Sequence, residues 1–168
     1  MEFIDLHPKL VHFPIALFSL GSILHIFRLF RNNELTLKVE LIVLSTGLIL
    51  SVFALLTGNM AATHFNEHGA HLAAKHGLNS INELMELHES FATYTIFNYS
   101  ALLAGVFYIF VGNRKKSEIK NIGFILLILV ILSVAGLYFI YQTGVYGGEL
   151  VYKHGVGTEF FRNMHLPK

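Results

Sequence analysis

Four uninterrupted apolar stretches, residues 11–30, 39–57, 91–111 and 122–141, constrain this chain more than anything else in it. A bilayer core about 30 Å thick is crossed by about 20 helical residues, and each stretch has that length. In lipid the backbone must satisfy its own hydrogen bonds, which leaves helices and closed barrels. Continuous rather than alternating hydrophobicity selects helices. The expectation is an all-α, four-helix transmembrane bundle, a single domain over residues 1–168, with a long loop at 58–90 and a polar C-terminal segment at 144–168. A composition of 54% hydrophobic and 14% charged residues agrees with burial in lipid.

The ends of the spans carry the information on orientation. Arg28, Arg31, Lys38, Arg114, Lys115, Lys116 and Lys120 crowd the two short loops after spans one and three. By the positive-inside rule those loops are cytoplasmic, and both termini and the long loop are outer. The ten residues before the first span hold Glu2 and Asp5 against Lys9, and no small-residue cleavage site follows, so that span is expected to be retained. A net charge of +1 offers no field for nucleic acid. With no cysteine, the chain has no disulfide, thiolate metal site or covalent haem attachment, so any cofactor is held by His, Met, carboxylate or backbone groups.

On this topology nine of the ten histidines, all but His25, fall on the outer side. His7 and His12 flank the start of span one, with Pro14 suited to a first helical turn. Ser80 and Glu83 fit a capping box, so the third helix is expected to begin above the membrane and to bring in His88 at the boundary. The second helix is expected to run past Gly58 to Glu67. Gly144, Gly147 and Gly148 permit sharp turns that would fold His154 back over the bundle mouth. His7, His12, His88 and His154 are therefore candidates to converge at one depth as ligands of a b-type haem, or of a bare Cu, Zn or Fe ion. His64, His68 and His71, spaced four and three apart, form a second candidate metal set on one helix face. His25 stands alone at its depth and reads as a core or rim residue. No nucleophile–base pair, phosphate loop or paired carboxylates emerge, which argues against hydrolytic chemistry.

Several segments carry a family likeness. Leu6-His7-Pro8 with Val11-His12-Phe13-Pro14-Ile15-Ala16-Leu17, Leu56-Thr57-Gly58, Glu86-Leu87-His88-Glu89, and the run from Gly147 to Gly157 resemble the motifs of the bacterial DUF2231 membrane family. The resemblance covers nearly the whole chain. It implies a four-helix membrane domain whose motif histidines correspond to His7, His12, His88 and His154. Fusion of some members to c-type cytochrome or Rieske-like modules implies a redox setting. Residues 1–168 hold no such module, and the cluster at 64–76 lies where similar proteins tend to carry acidic residues.

The expectation is a bacterial inner-membrane b-type cytochrome that carries electrons at the outer face, from a quinol or other membrane donor to a periplasmic redox protein or larger complex. The alternatives are a non-haem metal-binding membrane protein, or a small structural or assembly subunit of a redox membrane complex.

Overall fold

The structure, a computed structural model, describes residues 6–31, 33–68, 80–116 and 118–156. A short helix α1 (His7–Leu10) leads through Val11 into α2 (His12–Phe30), followed by α3 (Glu34–His68), α4 (Ser80–Arg114) and α5 (Ile122–Tyr152). The protein is thus all-helical among the described residues, and α1–α2, α3, α4 and α5 are each long and apolar enough to cross a membrane. At 1.5 Å per residue the 35 residues of α3 and of α4 reach about 52 Å, well beyond a hydrocarbon core. Both helices therefore extend past the bilayer, α3 continuing beyond Gly58 and α4 starting at Ser80, as their polar ends imply.

Consecutive helices form antiparallel hairpins of fixed register. In the first hairpin a Cβ on Gly47 would meet the Phe18 ring at 2.8 Å, and Gly21 receives Leu44 in the same way. Both pairs are centred on the loop point between residues 32 and 33, which puts His25 level with Glu40 and His7 level with Gly58. In the second hairpin Gly105 faces Leu129, Gly136 faces Tyr99 and Gly147 faces His88. Small residues on the facing surfaces let backbones approach closely, the usual basis of helix association in lipid.

The bundle has an apolar core around Phe18, Leu44, Leu102 and Val106 with polar residues set into it, and its exterior is apolar. Ser22, His25, Arg28, Glu40, Asn98 and Ser133 are buried, whereas Phe30, Ile42, Phe97, Phe124 and Ile131 are exposed. Such a distribution suits a protein whose solvent is hydrocarbon. Interior hydroxyls find main-chain acceptors, Thr95 donating to Phe91 O at 2.8 Å and Ser133 to Leu129 O at 2.9 Å. At the centre the Tyr99 ring stacks on Phe18 with centroids 4.2 Å apart, and its hydroxyl lies 2.8 Å from Ser22 Oγ. This contact ties α2 to α4 across the diagonal of the bundle.

One expectation of the sequence fails. The chain does not turn at Gly144, Gly147 or Gly148, and α5 runs straight through them to Tyr152. A helical glycine costs only about 1 kcal/mol, less than breaking the hydrogen-bond ladder where few other partners exist. Reversal comes later, at Gly155 (φ 68°), where Val156 N–H bonds back to Leu150 O at 2.9 Å. Val156 then packs on a small second core of Phe65, Ile81 and Leu150, which joins the projecting ends of α3, α4 and α5.

Candidate functional site

At the end of the bundle where α1–α2 begins and α3 leaves the apolar zone, two imidazoles meet. The His7 and His88 rings lie with centroids 6.4 Å apart and planes at 87°. Their surroundings are matched. His7 Nδ1 is 3.0 Å from Ala54 O and 3.3 Å from Thr57 Oγ1, and His88 Nδ1 is 2.9 Å from Thr143 O. Four residues beyond each carbonyl stands a glycine against which the ring rests. A Cβ on Gly58 would come within 2.8 Å of His7 Cε1, and one on Gly147 within 2.9 Å of His88 Cε1. Each hairpin thus supplies one histidine from its first helix, and one carbonyl and one glycine from its second.

The chemistry of this arrangement follows from the Nδ1 contacts. A backbone carbonyl only accepts, so Nδ1 of each ring donates, and in the neutral ring the lone pair sits on Nε2. Nδ1–H to a carbonyl is the outer hydrogen bond that metal-bound histidines make almost without exception. Neutral imidazole is the ligating form, and the Nδ1 contacts leave Nε2 of each ring for that role.

The other candidate residues are distributed differently. His12 is exposed at the first position of α2, and His154 is half-buried just past the end of α5. No contact of either with the pair is seen. His64 lies exposed on α3, while the side chain of His68 and all of His71 lie outside the described residues. Among the described residues no three His, Asp or Glu side chains gather around a point that a metal ion could occupy. Met85 packs against the second core and Met60 is exposed, so neither joins the pair.

A second polar cluster lies toward the opposite end. His25 Nδ1 is 2.8 Å from Glu40 Oε1, and Arg28 Nε is 2.9 Å from Glu40 Oε2, with all three residues buried. His25 is a core residue, yet not an isolated one, and Arg28 belongs to the interior rather than to the loop cations. The signal was available in the sequence: His25 and Arg28 are one turn apart, and the loop centre near residue 32 sets Glu40 opposite them.

Comparison with curated proteins and with solved structures finds no match. The family described as a predicted membrane protein, DUF2231, matches residues 4–159, nearly the whole of the folded bundle and both of its histidine-bearing hairpins. The chain is a member of the DUF2231 family.

Proposed function

We propose that the protein is a membrane-embedded b-type cytochrome in which His7 and His88 would hold one haem. The observation that carries this reading is the matched pair of Nδ1-anchored imidazoles. The two ring centroids are 6.4 Å apart, close enough that both side chains could hold a single metal centre. A haem iron needs only two protein ligands because the macrocycle supplies the rest, whereas a tetrahedral zinc or a copper(II) centre needs more donors than the described residues bring together. When bound, the haem supplies one-electron chemistry. The chain contributes ligation, ring orientation through Ala54 and Thr143, and exclusion of water by the second core beyond the pair.

Loop cations favour an outer placement of the pair, on a bacterial inner membrane, with Arg28 discounted because it is ion-paired inside the bundle. A site at that depth suits a carrier between a quinol-type membrane donor and a periplasmic redox partner. The same two imidazoles also suit copper(I), which accepts two-coordinate ligation, so metal analysis belongs with the first experiment.

That experiment is a reduced-minus-oxidised spectrum with a pyridine haemochrome assay, on protein produced with ample haem. Wild type is expected to show a b-type α-band near about 560 nm at one haem per chain. His7→Ala and His88→Ala lose or shift it, while His12→Ala and His154→Ala retain it. Colourless wild-type protein would overturn the reading, and stoichiometric copper in that sample would select the alternative.

A further inference from the structure

The His25–Glu40–Arg28 cluster plays no part in the outer site. It lies within the span, between α2 and α3, some five turns of helix from His7. We propose that it is a proton-binding site, with His25 Nε2 as the atom that takes up the proton.

The argument rests on what the cluster leaves unmade. A purely structural ionic lock is expected to satisfy its members, because an unpartnered polar group in low dielectric is costly. Here the carboxylate of Glu40 is shared between His25 and Arg28. Yet His25 Nε2 and Arg28 Nη2 are buried with no hydrogen-bond partner, and Arg28 Nε and Glu40 Oε2, 2.9 Å apart, meet as an ion pair without making a hydrogen bond. The open atoms are a strong donor on a permanent cation and the far nitrogen of a ring whose near nitrogen faces a carboxylate. Water is the small species that can serve both, accepting from Arg28 and donating to His25, and it is also what carries protons. Ionisable residues inside membrane spans commonly serve as such proton-accepting stations.

Charge bookkeeping gives two states. With His25 neutral, Arg28 and Glu40 cancel and the cluster has no net charge. A proton delivered through water forms an N–H bond at Nε2, the Nδ1 contact to Glu40 stays in place, and the cluster becomes a cation–carboxylate–cation triad of charge +1. Surroundings leave the cluster to itself. Ser22, one turn before His25 on α2, meets the Tyr99 hydroxyl of α4 at 2.8 Å. The first half of α5, residues 122–137, contains no titratable side chain. Glu34 and Lys38 pair with each other on the outside of α3 at 2.7 Å, and Arg114 is exposed. The nearer end of α2, at Arg31, lies one turn beyond Arg28. The proposal does not depend on haem.

The test is solid-state NMR of the full chain in lipid vesicles with ¹⁵N-labelled histidine ring nitrogens, the His25 signals being those lost in His25→Gln. On acidification from about pH 8 to about pH 5, Nε2 of His25 is expected to pass from the unprotonated to the protonated shift, and in Glu40→Gln that change is lost. If His25→Gln does not fold, the signal whose change is lost in Glu40→Gln makes the assignment. A His25 spectrum unchanged across that range, or a transition unaffected by Glu40→Gln, overturns the proposal.

Discussion

Each of the two paired imidazoles rests on a bare backbone, and that contact decides where its Nε2 points. A methyl group at Gly58 or Gly147 would stand 2.8 or 2.9 Å from a ring carbon, closer than packed atoms tolerate. Gly58→Ala and Gly147→Ala are therefore expected to push His7 or His88 off its carbonyl, at an overpacking cost of about 1–3 kcal/mol. Haem content of the two variants should fall severalfold while the helical circular dichroism signal is kept. Unchanged occupancy in both would show that the ring positions do not matter. The sequence singles out His7, His12, His88 and His154 by depth alone, and the structure brings the rings of His7 and His88 together. Depth is encoded by span boundaries, whereas azimuth around a helix depends on which face meets its neighbour. Glu40 escaped notice for a related reason: read along α3 it is one acidic residue near a helix start, and its partners appear only when the hairpin is closed.

At the scale of elements, one register explains both sites. The first hairpin aligns His7 with Gly58, Phe18 with Gly47 and His25 with Glu40, so shifting α2 by a residue would displace His7 and break the His25–Glu40 contact together. The ionic cluster is the more severe constraint. Removing one member of a buried pair strands the other, a loss of about 3–5 kcal/mol, whereas removing both costs far less than the sum. Arg28→Ala should thus lower the unfolding free energy in mild detergent by that order, and adding Glu40→Ala should recover much of it. Additive losses would indicate that the two charges do not meet. Span lengths and the projecting ends of α3 and α4 followed directly from the sequence. The extension of α5 did not, because Gly144, Gly147 and Gly148 signal turns in water and helix packing in lipid, and the chain alone does not state its solvent at that point.

The whole molecule is organised by its two surfaces and its two ends. Apolar side chains fill the core and also face outward, which is why composition and continuous hydrophobic runs sufficed to read the fold class. Orientation rests on the loop cations, and a chain with no native cysteine permits a direct check. A cysteine replacing exposed Glu83 should react with a membrane-impermeant maleimide in spheroplasts, and one replacing exposed Asn113 should react only after lysis. The reverse pattern would place the histidine pair on the cytoplasmic face. What most directly tests ligation by His7 and His88 together is low-temperature electron paramagnetic resonance of the oxidised, haem-replete protein. Ring planes at 87° predict a low-spin ferric signal of high anisotropy, with one dominant low-field feature. A high-spin signal, a rhombic low-spin signal typical of parallel rings, or the absence of ferric haem would contradict the account.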